Sequence, residues 1–209
     1  MKVKEANQIT GGLSAPSKMP CFGFSTTAQK CITGRKLRDV VGSICSKCYA
    51  LKGRYGFPNV QKALFKRLEN LTHPLWIEAM AFLINRKEKS GVFRWHDSGD
   101  LQSAEHLARI VSVCERTPTI QHWLPTREFS FVGEFLAAYN SFPDNLTVRL
   151  SALMFDGPAP VGIAKRFGLT TSGASKNDFS CPASSQGNQC LDCRACWDKS
   201  VFNVNYKLH

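Results

Sequence analysis

Four cysteines fall within sixteen positions near the end of the chain: Cys181-Pro182, then Cys190-x2-Cys193-x2-Cys196. Three thiols at x2 spacing form a compact basket. The spacing is that of iron–sulfur runs, in which one more cysteine, often followed by proline, completes the ligand set from elsewhere. A single tetrahedral zinc is more often held by two separate Cys-x2-Cys pairs. Three consecutive ligands crowd one small ion, whereas a four-iron cluster spreads its corners apart. A [4Fe-4S] cluster on Cys181, Cys190, Cys193 and Cys196 is therefore the first expectation, and zinc is the second.

Cys45-x2-Cys48 is a second knuckle, with Cys31 and Cys21 upstream. These thiols are candidates for a second four-thiol set or for sharing the C-terminal basket, and the spacing leaves both open. Cys114 sits on an apolar helical face, where a free cysteine behaves as a small hydrophobe. Nine cysteines is an odd number. The first residues lack the apolar stretch of a signal peptide, and no run approaches the ~18 apolar residues of a membrane span. A cytoplasmic chain without structural disulfides and without a membrane partner is expected.

A second kind of chemistry collects where strands should end. Val92–His96 reads as a strand running into Asp97-Ser98-Gly99-Asp100; Ile120–Leu124 runs into Pro125-Thr126-Arg127; Leu146–Leu150 carries Arg149. Carboxylates suit hydroxyls and amines, and a guanidinium suits a carboxylate or phosphate. Asp97, Asp100, Arg127 and Arg149 are the pocket candidates. Each has a plainer role available: Asp97, Ser98 or Asp100 as helix caps, His96 as a core histidine. His122 reads as structural, and His73 and His106 as surface or cap residues.

The elements that position these groups alternate. Helical periodicity covers Asn59–Thr72, Leu75 to about Lys89, Ser103–Arg116, Phe129–Asn140 and Val161–Phe167. Strand-like runs separate the last four, with shorter candidates at Phe22–Ser25, Gly168–Thr171 and Val201–Tyr206. Such alternation predicts βα units on a parallel sheet. A closed eight-unit barrel typically takes ~250 residues, so 209 residues predict a partial, open βα barrel in one domain. Residues 1–58 form a basic, cysteine-containing irregular segment, residues 59–172 the βα units, and residues 173–209 a cysteine-rich segment with a final strand.

Charge is not spread evenly. Residues 1–67 hold thirteen Lys and Arg against Glu5 and Asp39, while the rest of the chain balances fourteen of each sign. The whole net charge of +11 lies in that first third. It fits a surface that meets nucleic acid or a nucleotide, and it fits equally a solvated lysine-rich face.

Several of these stretches together resemble the bacteriophage gene product 88 family: Lys18-Met19-Pro20, Cys45-Ser46-Lys47-Cys48-Tyr49-Ala50 with Lys52-Gly53-Arg54-Tyr55, Phe93 through Asp100, Trp123 through Arg127, and Cys181-Pro182 through Cys196-Trp197. The resemblance runs nearly end to end and implies a phage protein working in a bacterial host cytoplasm. A looser likeness is to radical S-adenosylmethionine enzymes. Their partial barrels begin with a cysteine motif ending Cys-x2-Cys and an aromatic residue, as in Cys45-x2-Cys48-Tyr49. Ser98-Gly99-Asp100 occupies the place where those enzymes hold the cofactor's amino group. Their full Cys-x3-Cys-x2-Cys pattern needs a cysteine at position 41, where the chain has Val41, so S-adenosylmethionine is not expected here.

The expected function is thus an iron–sulfur protein on a radical-SAM-like partial barrel, acting on nucleic acid or a nucleotide. The alternative is a nucleic-acid-binding module stabilised by zinc or a cluster, without catalysis. A host protein as partner has no specific residue signal.

Overall fold

In the computed structural model, which describes residues 1–207, six strands form one sheet. They are β1 (Gly23–Phe24), β2 (Val92–Trp95), β3 (Gln121–Thr126), β4 (Leu146–Ser151), β5 (Thr170–Ser175) and β6 (Asn203–Lys207). They lie side by side in chain order, every neighbouring pair parallel. Parallel neighbours require crossovers. Four of these carry helices: α3 (Pro58–Glu69) and α4 (Trp76–Lys87) before β2, α5 (Ala104–Glu115), α6 (Phe129–Tyr139) and α7 (Val161–Phe167) before the next three strands. β1 and β6 remain as edges, so the sheet is open rather than closed into a barrel.

The period of two along each strand sorts the side chains into two cores. Phe93, Trp95, Leu124, Val148 and Leu150 point outward and pack with Trp76, Met80, Leu107, Ile110 and Val132 from the helices. The intervening positions Val92, Trp123 and Val204 form a separate cluster with Cys21, Cys196 and Trp197. The inner face is therefore covered by the cysteine-rich segment, the outer face by helices. β4 is buried at all six positions, as expected for a parallel strand covered on both sides.

The alternating region matches its periodicity. Two helices lie instead in the stretch read as irregular: α1 (Val3–Thr10) and α2 (Ile32–Leu37). α1 is eight residues long, too short to hold by itself. It forms because Ala6 and Ile9 bury against Ala79 and Leu83 of α4, a partner its own sequence does not reveal.

The segment after β5 crosses the open seam. Cys181 donates its backbone N–H to Asn205 O on β6 at 3.0 Å, and Cys190 donates to Lys18 O, just before β1, at 3.1 Å. The cysteine basket thus spans the gap between the two edge strands. Among the described residues, no helix is long and apolar enough to cross a membrane.

Candidate functional site

Two strand ends build the first part of the site. β2 leaves the sheet through His96, which has φ 53, and reaches Gly99 with φ 80. The turn rests on the residues after β1: Thr26 N donates to Ser98 O at 3.1 Å. A Cβ on Gly99 would come within 2.1 Å of Thr26 Oγ1 and 2.9 Å of its carbonyl oxygen, so both conformation and space demand glycine.

The turn aims Asp100 inward. Its carboxylate is buried and accepts from Thr126 Oγ1 at 2.6 Å, Leu101 N at 2.8 Å and Arg127 N at 3.0 Å. Burial raises its pKa to about 6 against the opposing pull of those hydrogen bonds. Asp97 is held differently. Its Oδ2 accepts from Tyr55 OH at 2.6 Å, and its backbone carbonyl accepts from Tyr49 OH. Neither aspartate is a helix cap; Ser103 caps α5, accepting from His106 N at 3.0 Å.

The loop from β1 to α3 folds over these ends and brings thiols with it. Glu128, buried after β3, accepts from Thr33 N at 2.8 Å and Thr33 Oγ1 at 2.7 Å, pinning α2 to the end of β3. Ser43 caps the Cys45 turn by accepting from Ser46 N at 3.0 Å. Cys31 and Cys45 thereby flank Gly34. A Cβ there would stand 3.7 Å from Cys31 Sγ and 3.5 Å from Cys45 Sγ. Cys48 joins them within electrostatic range, as do Asp100 and the Arg38 guanidinium. The Arg127 guanidinium faces Cys45 and donates to Ala152 O at 3.1 Å.

The second thiol set lies across the inner face. Cys181, Cys190 and Cys196 line a cavity of about 150 Å³ with Met19, Trp123 and Tyr206. Its charged lining is entirely cationic, from Lys18, Arg94 and Lys207. Cys193 stands in electrostatic range of Cys190, and Cys21 approaches Cys190 from the other side. Arg94, on β2, stacks over Trp123 at 4.5 Å. Its Nη1 meets Met19 Sδ at 3.6 Å, while its buried Nε has no partner. Burial opposes its charge, yet Tyr49, Asp97, Tyr206 and Cys196 around it raise its pKa. One guanidinium therefore lies beside both the C-terminal thiols and the Tyr49 and Asp97 pair.

Arg149 is not free to meet a ligand. It is completely buried, and its three nitrogens donate to backbone carbonyls of Cys196 (3.0 Å), Ala195 (2.7 Å), Asp198 (2.8 Å), Val201 (2.9 Å) and Thr171 (3.1 Å). Its work is to hold the basket against β4. His106 is also not a surface residue: it is buried beside His96, ring centroids 5.4 Å apart. His122 is structural, its ring against Trp95 and its Nε2 2.8 Å from Thr117 Oγ1. Cys114 is buried in the outer core.

The structure gathers Asp97, Asp100, Arg127, Cys31, Cys45 and Cys48 at the strand ends, and Cys181, Cys190, Cys193 and Cys196 with Cys21 on the inner face. All nine thiols are free. Among the described residues, no three His, Cys, Asp or Glu side chains converge closely enough to make a ready-formed metal site. The chemistry of the donors nevertheless fits a soft metal. Burial pushes the thiols of Cys31, Cys45 and Cys190 up, that of Cys196 to about 11 and that of Cys21 to about 12. They are neutral without a metal, and a metal would displace their protons. The cavity beside Cys190 leaves room for one, and Gly34 forms a cradle with no side chain of its own between Cys31 and Cys45.

The sequence offers Cys31 together with Cys45, Cys48 and Cys21 for a second or shared set, and which of them meet is set by the fold. Arg94 and Tyr206 carry no such signal, and Tyr49 stands out in the sequence only as the aromatic residue after Cys48; Arg94 shows only as an alternating position of β2.

No curated protein and no solved structure matches this chain. A family model does, described as gene product 88 and covering residues 2–199. The chain, with its open six-stranded sheet and two gatherings of thiols, belongs to the gene product 88 family.

Proposed function

We propose that this is an iron–sulfur protein of radical-S-adenosylmethionine type. Cys31, Cys45 and Cys48 would hold one cluster, and Cys181, Cys190, Cys193 and Cys196 a second. The observation that carries the reading is the three-thiol set beside a group of buried, unpartnered polar atoms. Ser25 Oγ, Thr26 Oγ1, Asp97 Oδ1 and Ser98 Oγ all lack hydrogen-bond partners at the adjoining ends of β1 and β2. Buried polar groups left unpaired are costly, and several in one place mark a site awaiting a polar ligand.

A cluster on Cys31, Cys45 and Cys48 would supply one-electron chemistry. This chain's residues do the rest. The hydroxyls of Ser25, Thr26 and Ser98 and the Asp97 carboxylate suit the amine and carboxylate of a bound aminoacyl group. Asp100 fixes the turn and adds negative charge near a sulfonium. Arg38 and Arg127 offset the thiolates. Cys31 would take the role that Val41 cannot, and on this proposal S-adenosylmethionine has a place that the spacing of the cysteines alone does not suggest. A cluster on the four-thiol set would suit electron transfer, and Lys18, Arg94 and Lys207 would offset its charge.

Anaerobic reconstitution followed by iron, sulfide and zinc analysis tests the reading. Roughly eight irons per chain are expected for two four-iron clusters, together with methionine release from S-adenosylmethionine under a strong reductant. A colourless protein carrying stoichiometric zinc would sink it.

A further inference from the structure

The segment from Ala28 to Lys62 covers the site and has a composition that the site itself does not require. It carries eight Lys and Arg against a single acid, Asp39. Lys30, Arg35, Lys36, Lys47, Lys52 and Arg54 are exposed. Apolar surface is exposed among them: Tyr49 is 56% exposed, Phe57 55% and Val41 93%. Buried thiols account for none of this.

Tyr49 shows what the rim is built to do. Its hydroxyl points inward, bonded to the Asp97 carbonyl. Its ring edge-packs against Tyr55 with centroids 5.8 Å apart. The ring is thus fixed at both ends while much of its surface faces solvent. A rigid exposed aromatic among cations is a stacking platform for bases whose phosphates meet Lys and Arg. A duplex hides its base faces and could use only the charges.

We propose that residues 28–62 form a docking rim for single-stranded nucleic acid, leading the strand over the Cys31, Cys45 and Cys48 site. This deepens the reading above by naming the class of substrate that site acts on. Bases stack on Tyr49 and Phe57, and phosphates lie along Lys47, Lys52 and Arg54. Recognition by stacking and charge tolerates many sequences.

The test is fluorescence anisotropy on the protein as purified anaerobically, with and without bound iron. The probes are labelled single-stranded DNA and RNA 20-mers, the matching duplex, polyglutamate and phosphatidylserine vesicles, over a salt series. Single strands should bind at least about tenfold more tightly than duplex. Phe57→Ala and Tyr49→Leu should each weaken binding about fivefold to tenfold. Lys52→Glu with Arg54→Glu should lower the slope of log affinity on log salt by about one or more. Lys165→Glu on α7 should change nothing. Equal binding to duplex, polyglutamate or vesicles overturns the proposal, as does unchanged affinity in Phe57→Ala and Tyr49→Leu. Single-strand binding by a protein that never takes up iron keeps the rim and removes the iron–sulfur reading. Iron uptake without oligonucleotide binding does the reverse.

Discussion

Arg149 Nε donates to the carbonyl of Cys196 at 3.0 Å, joining the centre of the sheet to the middle of the cysteine basket. The other two guanidinium nitrogens extend that bond to carbonyls on both sides of the loop and on β5. A planar fork with five N–H donors can satisfy this many acceptors; an ammonium cannot.

Arg149→Met should therefore destabilise the chain by at least about 3 kcal/mol, since several buried carbonyls lose their donors together. Arg149→Lys should recover less than half of that. Urea denaturation midpoints measure both. A loss below about 1 kcal/mol in Arg149→Met would show that the basket does not depend on this anchor.

The two thiol sets should lose metal independently. Cys45→Ser and Cys190→Ser are each expected to retain roughly half the iron of the parent, because each leaves one ligand set intact. Iron and sulfide per chain, measured after anaerobic reconstitution, report this. If either substitution removes all the iron, the two sets form one centre.

Gly34→Val should deplete iron from the first set while leaving the fold intact. Even a single Cβ at this position would stand 3.0 Å from Cys31 Cβ and 3.5 Å from Cys45 Sγ, and valine adds two methyl groups in the same space. Gly34 lies in the short α2 near the surface, so the melting temperature should move by only a few degrees. Full iron content in the variant would remove the cradle from the account.

Stability should fall as pH drops below about 6.5. Burial lowers the pKa of His122 from 6.5 to about 3, so the folded chain keeps it neutral where the unfolded chain protonates. The contribution is fully present above the unfolded pKa and is lost as pH falls toward the folded one. Between pH 6.5 and 5 this amounts to about 2 kcal/mol. His96 and His106 are buried and lowered in the same direction, so His122→Phe should reduce the slope over that interval without abolishing it, at some cost from unpairing Thr117 Oγ1. Parallel slopes for parent and variant, from urea unfolding at several pH values, would refute the assignment.

The βα alternation from α3 to β5 is written into the chain locally, because periods of 3.6 and 2 are local properties. The polar groups at the strand ends, Asp97, Asp100 and Arg127, are visible locally as well, but whether each caps a helix or faces the site is decided by partners such as Tyr55 and Thr126. α1 escaped because its stability comes from Ala79 and Leu83, some seventy positions along the chain. Arg149 looked like a ligand group because its charge is visible in the sequence, whereas the carbonyls that occupy it are brought there by the fold. The opening basket of cysteines was legible in full as a cluster of thiols. Its position across the seam between β1 and β6, and the gathering of Cys31 with Cys45 and Cys48, were decided only by tertiary structure. Both depend on hydrogen bonds between distant segments, Cys190 to Lys18 and Thr33 to Glu128, and no local spacing encodes those.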